Sequence, residues 1–169
     1  MSTFKKISPK EVTQNPFALI GDEWMLVAAE KEGKVNAMTA AWGGLGFMWN
    51  KQVAFIVIRP QRYTKEFVDS AGRFSLTFFG SDYRKMLGYM GSVSGRDEDK
   101  IEKSGLTVAH EDGVPYFAEA EMVFICRNIY AQEYKQECFI DSEPDKRWHP
   151  EKDYHMMYIA EIETVLVKE

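Results

Sequence analysis

Apolar residues along this chain gather in short runs of strand length more often than in helical stripes. Trp24 to Glu30 is one such run, and after the turn Glu32-Gly33-Lys34 the segment Val35 to Trp42 returns, so the two predict a hairpin. Val53 to Ile58 is continuously apolar, the pattern of a strand covered on both faces. Arg73 to Phe79, Leu106 to Ala109, Glu119 to Tyr130 and Tyr154 to Val167 predict further strands, with Glu111-Asp112-Gly113 and Pro115 as the break before the third. In the last strand Glu161 and Glu163 alternate with apolar neighbours in the two-residue period. Gly43, Gly44 and Gly46 interrupt the pattern and predict a bulge or tight bend.

Helical signals are fewer and short. Ser8-Pro9-Lys10-Glu11 reads as a capping box, and Asn15-Pro16 keeps the helix it starts short. Thr64 reads as the cap of a helix with Phe67, Val68 and Ala71 on one face and Gly72 as its stop. Ser81 reads as the cap of another, carrying Tyr83, Met86, Leu87 and Met90 and ending near Gly91. Asp97 to Lys103 predicts a short charged helix, whereas Glu143 to Pro150 has no period and reads as a loop. The fold class is mainly β with inserted helices (α+β), and so many apolar strands suggest a closed barrel, which leaves no exposed edges. Without an internal repeat or linker, residues 1–169 read as a single domain.

Composition narrows the class of function. The chain is 45% hydrophobic and 28% charged, as in a soluble globular domain large enough to bury its own core. A net charge of −5 argues against general nucleic-acid binding, which needs clustered Lys and Arg. Met1 to Lys10 is polar and basic without an apolar segment, and nothing approaches the ~20 apolar residues of a spanning helix, so no membrane role and a cytoplasmic location are expected. Cys126 and Cys138 fit a reducing compartment.

Two segments carry the chemistry. Asn36-Ala37-Met38-Thr39-Ala40-Ala41-Trp42 is a strand ending in small residues, which lets a flat ligand approach the backbone. Arg59-Pro60-Gln61-Arg62-Tyr63-Thr64 ends an apolar strand with cations and a hydroxyl at the mouth of a helix, a cluster suited to phosphate. No nucleophile constellation, Walker sequence or dinucleotide glycine fingerprint is present, so no side chain is assigned a catalytic role. Cys138, His149 and His155 do not match zinc-ligand spacing, and no metal is expected. His110 and His149 stand in turn-like contexts and read as solvent-facing.

Together these segments resemble the flavin reductase-like proteins, the family that includes the flavoredoxins. Ser94-Gly95-Arg96-Asp97 with Lys100 resembles the family's third motif, and the likeness runs from about Leu19 to Val167. The resemblance implies an FMN-binding split β-barrel. Within it, Asn36, Met38, Thr39, Ala40, Ala41 and Trp42 would border the flavin ring, mainly through backbone groups. Arg62 and Thr64 would hold the phosphate, while Arg59 fits either that role or a carboxylate across the rim. Tyr63 fits a contact to the ribityl chain or ordinary packing. Ser94, Gly95, Arg96 and Lys100 fit a loop over the flavin or a solvated charge run. His155 fits a place beside flavin and nicotinamide or a half-buried strand start.

The resemblance further implies an FMN-dependent oxidoreductase with NAD(P)H as electron donor. The alternatives are a flavoredoxin-like electron carrier served by a redox protein partner, and a barrel that uses its cavity for another ligand. It also implies a homodimer, for which Val53 to Ile58 and the last strand would supply surface. The aromatic 130–153 segment is expected to fold over the site or onto a partner subunit.

Overall fold

The computed structural model describes residues 3–169; Met1 and Ser2, part of the segment read as polar and basic, lie outside the described residues. Strand β1 (Phe4–Ile7) leads into a 3-10 turn at Pro9–Glu11 that carries the expected reciprocal capping box between Ser8 and Glu11. One turn of helix, α1 (Pro16–Ala18), continues as a π-type turn at Leu19–Glu23. The hairpin of β2 (Met25–Lys31) and β3 (Lys34–Ala40) comes next, turning at Glu32 and Gly33, both with positive φ. It is succeeded by β4 (Gly43–Met48), β5 (Lys51–Ile58) and the helix α2 (Tyr63–Ala71). Strand β6 (Arg73–Phe78) precedes helices α3 (Arg84–Ser92) and α4 (Lys100–Ser104). A small hairpin of β7 (Val108–Glu111) and β8 (Val114–Phe117) leads to β9 (Met122–Glu133), helix α5 (Ser142–Trp148) and the final strand β10 (Met156–Lys168).

The main sheet runs in the order β3-β2-β6-β9-β10-β5-β4, with β1 also on β10, and its pairings are antiparallel. Strands β3 and β4 are therefore the two ends of the sheet, yet only Ala41 and Trp42 join them in the chain. A two-residue link reaches across only if the sheet curls until its ends meet, so a covalent corner, not a hydrogen-bonded ladder, brings them together. The barrel is split, and the expectation of hydrogen-bonded closure is corrected: every second backbone group of β3 points away from β2, and no strand among the described residues receives it.

Residues Met25 to Ala29 of β2 are all fully buried because the strand is covered on both faces. Met25, Val27 and Ala29 face the barrel interior with Ile56, Phe74, Phe124 and Tyr158. Leu26 and Ala28 face outward under Leu87 and Met90 of α3. Cys126 lies in the interior and Cys138 on an exposed turn, and both are free thiols.

Several local expectations change. The glycines at 43, 44 and 46 form a regular strand instead of a bend. Two of them are required by Phe55 of β5: a Cβ at Gly44 would sit 2.3 Å from its ring, and one at Gly43, where φ is positive, 2.2 Å from its backbone carbonyl oxygen. Strand β5 is not sealed on both faces, since Phe55 and Val57 stay partly exposed. Thr64 is the second residue of α2, not its cap, and Ala71 is exposed. The charged helix starts at Lys100, capped by Asp99, because Ser94 to Glu98 closes into turns. Pro115 does not break the chain but sits inside β8. The 143–150 segment contains α5, started by Asp141, whose side chain accepts from the Glu143 amide, with acids in its first turn and bases in its last.

Candidate functional site

Two adjoining cavities open at the split. The first, about 280 Å³, is lined by Met38, Thr39, Ala40, Ala41 and Trp42, by Val57, Arg59 and Arg62, and by Trp148 and His155. The second, about 200 Å³, is lined by Asn36, Gln61, Arg62, Tyr63, Thr64, Ser92, Val93, Ser94, Gly95 and Lys100. Met38 and Arg62 belong to both, so the two form one groove running from the corner of the split to the start of α2.

The second cavity is cationic and its cations are unpaired. Arg62 Nη1 donates to the Gly91 carbonyl at 2.8 Å. Lys100 Nζ, only 3% exposed, donates to the carbonyls of Met90 and Val93, both at 2.9 Å. These acceptors are the orphan carbonyls at the end of α3, where helix polarity favours positive charge. Among the described residues no carboxylate pairs with either cation. Burial and the charge of Arg62 push Lys100 down to about 8, and burial also lowers Arg62. Two like charges held close in a polar hollow make a site where an anion relieves both desolvation and repulsion.

The walls of this cavity are cross-braced. Asn36 Nδ2 donates to Thr64 Oγ1 at 2.8 Å, with both residues buried, and so joins β3 to α2. A Cβ at Gly95 would come within 2.1 Å of Asn36 Oδ1, so the 94–95 turn approaches the strand as only glycine permits. Arg62 occupies the cap position of α2 without a side-chain cap bond, which leaves the first amides of the helix for another acceptor.

The first cavity is bounded by the unpaired edge of β3 on one side and by aromatic rings on the other. Trp42 and Trp148 meet edge to face at 5.0 Å, and Trp42 lies 5.3 Å from the His155 ring. Arg59 resolves to the carboxylate reading: Nη1 donates to Asp153 at 2.6 Å and Nη2 to the Trp148 carbonyl at 2.7 Å. Gln61 donates to the same Asp153 oxygen, and the two donors hold Asp153 down to about 2. The 148–153 segment is thereby clasped to the end of β5, over the cavity.

Residues 18–169 match the model of the flavin reductase like domain. The chain belongs to this family. An uncharacterized protein of Aeropyrum pernix is 26% identical over 149 residues, which is 80% of this chain and 56% of that relative. The chain spans a little over half the length of the curated relatives it matches. Among solved structures, the FMN-binding domain of a flavin reductases-like enzyme from Shewanella baltica superposes with a TM-score of 0.72 at 18% identity, covering 98% of this chain and 78% of that one. The flavoredoxin of Desulfovibrio vulgaris (Miyazaki F) does so with a TM-score of 0.69 at 24% identity, again covering 98% and 78%. At such identities the two likenesses establish the shared split-barrel fold.

In this flavin reductase like domain, every site residue expected from the sequence lines the groove except Arg96. Arg96 instead pairs with Glu66, donates to the Gln61 carbonyl and stacks over the Tyr63 ring at 4.5 Å. It braces the wall from outside. His155 lines the first cavity just ahead of β10, while His110 is exposed and meets Glu30 at 2.6 Å. His149 is corrected outright: it is 3% exposed and sits directly behind His155. Sequence reasoning also left Val57 and Trp148 off the site, although the aromatic content of 130–153 signalled a cover.

Proposed function

We propose that the chain binds FMN in this groove, ring in the first cavity and phosphate in the second, and acts as an NAD(P)H-dependent flavin oxidoreductase. One observation carries the reading: Arg62 and Lys100 are desolvated cations with no carboxylate partner among the described residues, at the far end of a groove whose near end is a bare strand edge. Arg62, Lys100, Thr64 and the first amides of α2 would hold the phosphate oxygens. The outward backbone groups of Met38 to Ala41 would bond the edge of the ring. Tyr63 and Ser94 would flank the linker between them. FMN, once bound, supplies two-electron redox chemistry at its ring; the protein binds, orients and shields it. The similar solved structures include an FMN-binding domain and a flavoredoxin, which supports the same cofactor here.

The carrier reading has its own support. Trp42 and Trp148 both line the ring cavity, where they would compete with a stacked nicotinamide for the face of the ring. Anaerobic addition of NADH or NADPH to the FMN-loaded protein separates the two readings. The oxidoreductase bleaches the flavin band within the time of mixing, whereas a carrier stays yellow until a protein donor is added.

A homodimer is also proposed. Phe47, Met48, Trp49 and Tyr130 are exposed beside the free edge of β4, a patch suited to a second copy. Sedimentation at micromolar concentration should give twice the 19.5 kDa chain mass.

A further inference from the structure

The cationic end of the groove holds one hydrogen that the protein itself does not use. Lys100 is buried at the start of α4, and its ammonium carries three hydrogens. Two go to the carbonyls of Met90 and Val93 at the end of α3, each at 2.9 Å. The third has no protein acceptor among the described residues, and Lys100 lines the second cavity together with Arg62.

The ionisable groups around Lys100 come from four places. The cap of α2 supplies Arg62, while Glu66 in the same helix is taken by Arg96. Helix α3 supplies Tyr89, whose hydroxyl donates to Glu98 at 3.2 Å. A neighbouring hollow that Lys100 also borders is lined by Lys34 of β3 and by Glu98, Asp99 and Glu102 around the start of α4. Glu98 pairs with Lys103, Asp99 accepts from the Glu102 amide, and Lys34 stands 5.2 Å from the centre of the Tyr63 ring. Arg62 is thus the charge that acts on Lys100. Together with burial it pushes the ammonium down to about 8, against the pull of the α3 carbonyls. A guanidinium starts too high to lose its own proton near neutrality, so Arg62 stays charged.

Geometry decides which hydrogen is lost. A neutral amine keeps two hydrogens, enough for both carbonyls, and turns its lone pair to the third direction. The empty site therefore gives up a proton without breaking a hydrogen bond. An anion in the cavity would then meet a lone pair where it needs a donor.

We propose that Lys100 takes its anion and a proton as one event, so that binding of a phosphate dianion at this site is coupled to proton uptake and weakens as the solution becomes alkaline. That the anion belongs to FMN rests on the functional reading above; the coupling of one proton to one anion does not.

The test is calorimetric titration with FMN from pH 7 to 9, in pairs of buffers whose ionisation heats differ, so that protons taken up are counted. A phosphate monoester sheds its second proton at about 6, and riboflavin carries the same ring, so neither end of the ligand mimics the effect. FMN should bind about tenfold more weakly at pH 9 than at pH 7, following the charged fraction of Lys100, with close to one proton taken up at pH 9. Riboflavin should show neither change. Lys100→Met should bind FMN weakly at every pH and without uptake, and Lys100→Arg, whose charge does not titrate in this range, should also bind without uptake. Carbon NMR of the lysine side chains in the unsubstituted, flavin-free protein gives a second measurement: Lys100 should titrate near 8, and inorganic phosphate should move it upward. FMN binding without uptake at pH 9, uptake that survives Lys100→Met, or a Lys100 that titrates as an ordinary lysine would each overturn the proposal. If inorganic phosphate raises the Lys100 titration but FMN does not bind, the functional reading alone is overturned.

Discussion

The side-chain amide of Asn36 donates to Thr64 Oγ1 at 2.8 Å, so one buried hydrogen bond joins the strand that would border the ring to the helix that would face the phosphate. The same amide's oxygen lies where a side chain at Gly95 would have to go. The groove is thus held at one point by three parts of the chain.

This joint makes a double-substitution prediction. Asn36→Ala should cost about 1–3 kcal/mol, because it leaves the buried Thr64 hydroxyl without its donor. Gly95→Ala should also destabilise, since the new methyl meets Asn36 Oδ1. Combined, the two should cost less than their sum, as the alanine at 36 removes the collision. Urea unfolding of the four proteins reads the coupling; strict additivity would mean that the turn and the strand do not touch.

The clasp over the ring cavity gives a second. Arg59→Ala removes the donors to Asp153 and to the Trp148 carbonyl at once. Helix α5 should then open locally, seen as faster amide exchange over residues 142–153 with β10 unchanged. Uniform acceleration across the chain would instead indicate global destabilisation.

Acid should act in two windows. His155 is held near 4 in the fold and titrates near 6.5 when unfolded. The unfolded chain therefore takes up a proton first as pH falls, so stability is full above 6.5 and declines from there to about 4, by about 3 kcal/mol. His155→Gln should flatten that window. Asp153 is held down to about 2, so its contribution is present above the ordinary carboxylate range and is lost between roughly 4 and 2. Melting temperatures measured from pH 8 to 3 test both, and a profile unaffected by His155→Gln would remove the assignment to that ring.

Strand periodicity was sufficient to find β2, β3, β5, β6, β9 and β10, because burial of one or both faces writes itself into the residue pattern. It did not find β4, whose glycines look like a break until the close approach of Phe55, by its ring at Gly44 and its backbone at Gly43, is known. It did not find β8, where Pro115 sits in a two-stranded edge hairpin that tolerates a missing donor. Helix α5 was hidden by Pro144 in its first turn, where proline costs little. At the site, the two motifs did converge on one groove. Their cations were not equivalent, however: Arg59 answers a carboxylate 94 positions away and Arg62 does not. His149 was misread because its cage assembles only when Tyr134, Phe139 and Tyr154 come together. The remoteness of such partners along the chain leaves no local signature.

If the groove recognises a flavin by its phosphate, Arg62 and Lys100 must discriminate FMN from riboflavin. Calorimetric titration of the protein, and of its Arg62→Ala variant, with both flavins measures that discrimination. FMN should bind far more tightly than riboflavin, and Arg62→Ala should weaken FMN by about tenfold to a hundredfold while leaving riboflavin nearly unchanged. Equal affinity for the two flavins, or an equal loss for both on removing the arginine, would contradict phosphate recognition at this site.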